Sequence, residues 1–212
     1  MALRLSVSDV DAYRYWRDND LPLENLRARL MRLESPSPQM LVGTLLHKVL
    51  ECEQDGELHE IEGDDGTVLR FELDAEIALP EIREQFVRRV YTIDGREVEV
   101  RGKVDAQHGL TIEDHKTTGR FDAEALEALM DSMQWRLYLS ATGAQRFRWN
   151  VFTVAAPLKA TPNVWRVQGL DHVEQWRYPE MEADCVAAIG EFLGVVSRAV
   201  PEYFQPRQAV AA

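Results

Sequence analysis

Apolar residues recur at helical spacing in five stretches of the chain. Leu41, Leu45, Leu46 and Leu50 lie about one turn apart and predict a helix over 41–53 with one face against a core. Residues 6–16 read as a short helix with Ser8 as its N-cap, and 23–33 as a second, ended by Ser35-Pro36-Ser37-Pro38. Residues 122–141 read as one helix, capped by Asp122 and stopped by Gly143, and 181–200 as an amphipathic closing helix. From Gly63 the period changes to two. Gly63-Asp64-Asp65-Gly66 is a turn, and strands are expected over 67–73, 88–93, 97–107 and 110–116. Turns at Asp94-Gly95 and His108-Gly109 make the last three a β-meander. Further strands are expected over 146–154 and 163–170. The order predicts a mixed α/β (α+β) fold, a central mixed sheet flanked by helices, in one domain over 1–212. Within it, 1–40 form a helical N-terminal segment, 41–171 a core and 178–200 the last helix.

Composition agrees with a globular chain: 212 residues, 45% hydrophobic and 28% charged. No apolar run reaches membrane-spanning length, and Arg4, Asp9 and Asp11 interrupt any signal-peptide pattern. Cys52 and Cys185 are the only cysteines, too few for a disulfide framework or a four-cysteine site. A reducing, cytoplasmic setting is therefore expected, with both thiols packed as small apolar groups. The net charge of −12 opposes a nucleic-acid partner in bulk, because phosphate neutralisation needs Lys and Arg. A local groove can still be positive. Arginines recur at Arg27, Arg29, Arg32, Arg88, Arg89, Arg120, Arg136, Arg146 and Arg148, and two readings stand: a DNA-facing patch or ordinary surface charge.

The chemistry enters with Asp105, Asp114 and Lys116. Asp114 and Lys116 are two apart on an expected strand, so both leave the same face. If His108-Gly109 forms the two-residue turn, Asp105 pairs with Ile112 and becomes the diagonal neighbour of Asp114, about 7–8 Å away. Two carboxylates so placed can lean onto one Mg²⁺ or Mn²⁺, with the main-chain carbonyl of His115 as a further oxygen. Lys116 would act as a fixed positive charge on the phosphate or orient the attacking water. His47 and Glu51 lie four apart on the expected helix, as do Gln134 and Tyr138 on another. Taken alone, His47 reads as a core histidine, Glu51 as a solvated helix-face glutamate and Tyr138 as a half-buried aromatic.

Together, Gly43-Thr44-Leu45-Leu46-His47-Lys48-Val49-Leu50-Glu51, Gly102-Lys103-Val104-Asp105 leading to Asp114-His115-Lys116, and Gln134-Trp135-Arg136-Leu137-Tyr138 resemble the RecB-type branch of the PD-(D/E)XK nuclease superfamily. That resemblance spans most of the chain and implies a restriction-endonuclease-like core. It also implies a Mg²⁺- or Mn²⁺-dependent DNA exonuclease acting on linear ends in phage or bacterial replication, recombination or repair, with a protein partner of that pathway. It makes His47, Asp105, Asp114 and His115 the metal ligands, and Lys116, Asp114, Asp105 and Gln134 the catalytic set. Gly43 and Glu51 support the site, and Tyr138, Arg120, Arg136 and Lys103 contact nucleic acid. Many such nucleases carry four iron–sulfur cysteines. Here Trp16 and Arg17 stand where the first would be and the C-terminal region has none, so no cluster is expected. Two rivals keep the motifs, a structure-specific endonuclease and a catalytically quiet DNA- or protein-binding module; a third, a regulator that mimics the negative charge of DNA, draws on the −12 but explains none of them.

Overall fold

The computed structural model describes residues 3–52, 60–73 and 82–205. β1 (Leu3–Ser6) leads into α1 (Val7–Asp18), α2 (Leu23–Met31) and α3 (Pro38–Cys52). β2 (Glu60–Glu62) and β3 (Val68–Phe71) follow, then the long antiparallel strands β4 (Ile82–Ile93), β5 (Arg96–His108) and β6 (Thr111–Thr118). α4 (Ala123–Asp131), α5 (Met133–Thr142), β7 (Arg146–Ala155), β8 (Val164–Trp176) and α6 (Met181–Ala199) complete the order, with a 3₁₀ turn over Pro201–Phe204. The fold is mixed α/β: one eight-stranded mixed sheet, ordered β1-β5-β6-β7-β8-β3-β2 with β4 also on β5, flanked by helices.

β5 organises the sheet. β4 covers one of its edges from Arg96 to Gln107, so β1 and β6 share the other. β1 runs parallel to Val98–Arg101, and β6 antiparallel to Ala106–His108. β6 then leaves β5 and pairs in parallel with β7 along its whole length. The site lies where β5 and β6 part.

β7 is buried on both faces along its middle, where Phe147, Trp149 and Val151 lie on one side and Asn150, Phe152 and Val154 on the other. Phe147, Trp149 and Val151 enter a core with α1, α5 and α6, whereas Phe152 and Val154 pack with Val42, Leu46 and Leu50 of α3. α3 is thereby held on one side of the sheet and α5 on the other.

Several local expectations are corrected. The cap of α1 is Ser6, whose hydroxyl accepts from Asp9 N–H at 3.1 Å, rather than Ser8. The segment before it is a strand, so 1–40 is not purely helical. The helix expected over 122–141 is two helices broken at Ser132. There the hydroxyl accepts from Gln134 N–H at 3.0 Å and donates to Asp11 at 2.7 Å, while Asp11 also accepts from Met133 N–H at 2.8 Å. That break depends on a residue 121 positions away, which no local pattern shows. β4 begins at Ile82 rather than 88, and β8 continues to Trp176. Cys185 is buried as expected; the side chain of Cys52 and all of His59 lie outside the described residues.

Candidate active site

Two tight turns set the register. Asp94-Gly95 joins β4 to β5, both residues having positive φ (49° and 75°), as a type I′ turn requires. The β5–β6 turn is Gly109-Leu110, with His108 paired to Thr111. Its tip lies one residue later than expected, because Gly109 (φ 52°) takes the first central position, the glycine position of a type II′ turn. The pairs Gln107–Ile112 and Ala106–Glu113 follow. Carried one step past the last of these pairs, the same count would set Asp105 against Asp114 and not diagonally to it. The same count across β4 and β5, between Arg83–Ala106 and Gln85–Val104, sets Glu84 against Asp105. On that count three acidic residues share one row across β4, β5 and β6.

At this row the ladder gives way to side chains. The Asp105 carboxylate accepts from His115 N–H at 2.7 Å, taking the place of a main-chain partner as β6 leaves β5. Glu84 adopts a left-handed backbone (φ 54°) inside a strand, a conformation that costs an ordinary residue on the order of 1 kcal/mol or more. Its carboxylate pairs with Lys103, and its Oε2 is buried without a hydrogen bond of good geometry. From the α3 side, His47 Nδ1 lies 3.4 Å from Asp105 Oδ2. Ligand atoms of His47, Glu84 and Asp105 all fall within 4.8 Å of one another.

Asp114 is 3% exposed and faces a different set. Gln134 Nε2 donates to its Oδ1 at 2.5 Å, and Lys116 Nζ lies 2.6 Å from its Oδ2. Lys116 Nζ also sits 5.2 Å from the centre of the Trp149 ring, a cation–π position. The charges respond to this crowding. Burial lifts the Asp114 carboxyl to about 6, Lys116 partly opposing and Asp105 reinforcing the rise. Burial also opposes charge on Asp105, but His47 and the His115 N–H outweigh it and hold that carboxyl below its usual range. For His47 and Lys116 burial is likewise outweighed, by Asp105 and Asp114 respectively, and both are raised. Lys116 is therefore an ammonium, as a fixed charge requires. Burial lowers His115 to about 4, so its ring is neutral.

Behind the centre, Asn150 of β7 bridges β6 and β8. Its Nδ2 donates to Glu113 Oε2 at 2.8 Å and lies 3.3 Å from His115 Nδ1, and its Oδ1 lies 2.7 Å from His172 Nδ1. The His115 ring packs edge-on to both His47 and Phe152. His115 is thus a buried, oriented neighbour of His47.

The fold brings His47, Asp105, Asp114, Lys116 and Gln134 together from three separate stretches. Gly43 is where α3 meets β6: an added Cβ would lie 3.1 Å from Thr117 Oγ1, so the helix could not approach as closely with a side chain there. Two expectations are corrected. Tyr138 is buried, stacked on Phe147, and its hydroxyl donates to the Lys103 carbonyl at 2.8 Å, so it holds the helix to β5 instead of meeting a phosphate. Gly102 makes room for that ring, since a Cβ there would fall 2.4 Å from Tyr138 Cε1. Arg136 is also spent internally, donating to the carbonyls of Asp131 and Ser132 and to Tyr178 while lying over Trp135. Arg120 is exposed and paired with Asp122, and Lys103 is half-exposed beside Glu84. Glu51 points to solvent while its carbonyl accepts from Arg83, so of its two readings the solvated one fits.

Glu84 was not anticipated, although its signal was present. The Asp94-Gly95 turn defines the β4–β5 register, and counting back from it places Glu84 opposite Asp105. The strand was expected to start too late for that count to reach it.

No protein-family model matches this chain, nor does any curated protein sequence. Among solved structures, it is similar to that of SSO0001, with a TM-score of 0.55 at 14% identity over 92% of this chain and 77% of that one. The similarity supports the mixed α/β architecture. No helix among the described residues is long and apolar enough to cross a membrane.

Proposed function

We propose that the protein is a Mg²⁺- or Mn²⁺-dependent nuclease of restriction-endonuclease-like architecture that hydrolyses DNA phosphodiester bonds, acting as an exonuclease. The observation that carries this reading is convergence. Three motifs separated by up to about ninety residues deliver an imidazole, carboxylates, an ammonium and an amide to one centre where β5 and β6 part.

The donor set fits a divalent cation. His47, Glu84 and Asp105 offer one nitrogen and two carboxylates within 4.8 Å, and Asp114 adjoins them. Oxygen ligands suit Mg²⁺, and the imidazole tilts the preference towards Mn²⁺. Glu84 also pairs with the Lys103 ammonium on the neighbouring strand. When bound, a divalent ion polarises phosphate oxygens and lowers the pKa of a water.

The chain's own groups do the rest. Asp114 and the Trp149 ring hold Lys116 at the centre, where its ammonium stabilises the charge that grows on a phosphate under attack. Gln134 fixes the orientation of Asp114, and its own position follows from the Ser132–Asp11 break between α4 and α5. His115 and Asn150 fix the surroundings of His47.

The test is digestion of end-labelled linear and closed circular DNA with Mg²⁺, Mn²⁺ or EDTA. Metal-dependent loss of linear DNA, reduced at least about a hundredfold in Lys116→Ala and Asp114→Ala, is expected. Nicked circles would make it an endonuclease. No cleavage by a folded, metal-bound protein would sink the reading.

A further inference from the structure

The site opens into a cleft of about 760 Å³ between α1, α2, the start of α3 and α4. Lys116, Gln134 and Trp149 form its floor. Tyr15, Trp16 and Met40 line its walls, and Tyr15 is 62% exposed, unusual for a tyrosine without a packing role. Trp16 is fixed by its Nε1–H donating to the Pro22 carbonyl at 3.0 Å and by the Tyr13 ring 5.8 Å away. Leu33, Leu41 and Met130, on the segments framing the cleft, are also exposed.

Its charge is as informative as its shape. Among the described residues lining it, Arg29 and Lys116 are the only cations, set against Asp11 and Glu34. Asp11 Oδ1 is occupied by Ser132 and Met133. A duplex held by its phosphates needs rows of cations, and this cleft has none. An apolar, aromatic cleft takes the flat faces of bases, and those faces are free only in an unpaired strand. Because the floor is also the proposed catalytic centre, a strand with its phosphate at Lys116 must lay its neighbouring nucleotides here.

We propose that this cleft binds single-stranded DNA by base stacking, with Tyr15 as the exposed platform and Trp16 as its fixed wall. The inference deepens the nuclease reading and rests on it for the identity of the polymer. It also eases the conflict between a net charge of −12 and a nucleic-acid substrate, since stacking adds affinity beyond what phosphate neutralisation supplies. With two cations among the described residues lining the cleft, affinity for a single strand should fall with salt less steeply than in a protein with a full row of phosphate contacts.

The experiment measures anisotropy of a labelled single-stranded oligonucleotide and of the matching blunt duplex, with Ca²⁺ in place of Mg²⁺. Wild type is compared with Tyr15→Ala, Tyr15→Phe and Lys116→Ala. The expected result is preference for the single strand, a loss of about 5- to 100-fold in Tyr15→Ala, and near-complete rescue in Tyr15→Phe, which keeps the ring. Lys116→Ala should still bind. Equal or tighter binding of the duplex, unchanged affinity in Tyr15→Ala, or no binding of either DNA would overturn the proposal, and none of these outcomes alters whether metal-dependent cleavage occurs. Conversely, stacking-dependent binding in a protein that never cuts would support the cleft and remove the nuclease reading.

Discussion

Replacing Asp114 with asparagine separates the stability of the centre from its chemistry. The carboxyl is 3% exposed, and its pKa is lifted from 3.8 to about 6 by burial, with Lys116 already counted against the rise. Each unit corresponds to about 1.4 kcal/mol, so an ionised Asp114 costs the metal-free fold up to about 3 kcal/mol. Between pH 3.8 and about 6 the folded protein keeps a proton that the unfolded chain releases. Wild-type stability therefore falls as pH rises through that window and stays lower above it. Asparagine keeps an oxygen to accept from Gln134 and cannot ionise. Lys116 loses the partner that outweighed its burial, which offsets part of the gain, although its side chain is 38% exposed. The variant should exceed wild type by up to about 3 kcal/mol above pH 6 in EDTA, with the gap closing near pH 4. Urea unfolding at several pH values, followed by tryptophan fluorescence, reads this directly. Mn²⁺ should raise the Tm of wild type and leave the variant nearly unmoved, so activity and metal-free stability move in opposite directions. A variant no more stable than wild type at pH 7.5, or the same pH dependence in both, would refute the reasoning.

Other outcomes follow from the same geometry. Glu84→Gln should weaken Mn²⁺ binding about tenfold or more by titration calorimetry while keeping the fold; unchanged affinity would remove Glu84 from the metal site. Tyr138→Phe loses the bond to the Lys103 carbonyl and should cost about 1 kcal/mol in urea unfolding, with DNA affinity unchanged, whereas a phosphate contact would show in affinity first. Cys185, buried and with its thiol pushed up to about 12, should resist a disulfide reagent in a Cys52→Ala background until the protein unfolds.

The elements themselves were largely legible, because they rest on local physics. Gly143, in the left-handed conformation with its N–H on the Leu139 carbonyl, ends α5 where a glycine stop was expected. Asp94-Gly95 makes the turn its residues demand, and the apolar run around Val151-Phe152 marks β7 as a strand. The motif residues His47, Asp105, Asp114, Lys116 and Gln134 were likewise visible by type and order, since chemistry restricts which side chains can serve.

Tertiary structure decided what local spacing leaves open. One residue of displacement at Gly109-Leu110 paired Ala106 with Glu113 and shifted where Asp105 falls relative to Asp114, and only pairing across the sheet sets that. The break at Ser132 comes from Asp11, far away in sequence, and it aims Gln134. Glu84 joins His47 and Asp105 through strand register, while Tyr138 and Arg136 are drawn inward by partners on other elements. Periodicity gives each residue a face on its own helix or strand. Which partner occupies that face depends on how the elements dock, and docking balances burial, hydrogen bonds and charge over the whole chain at once.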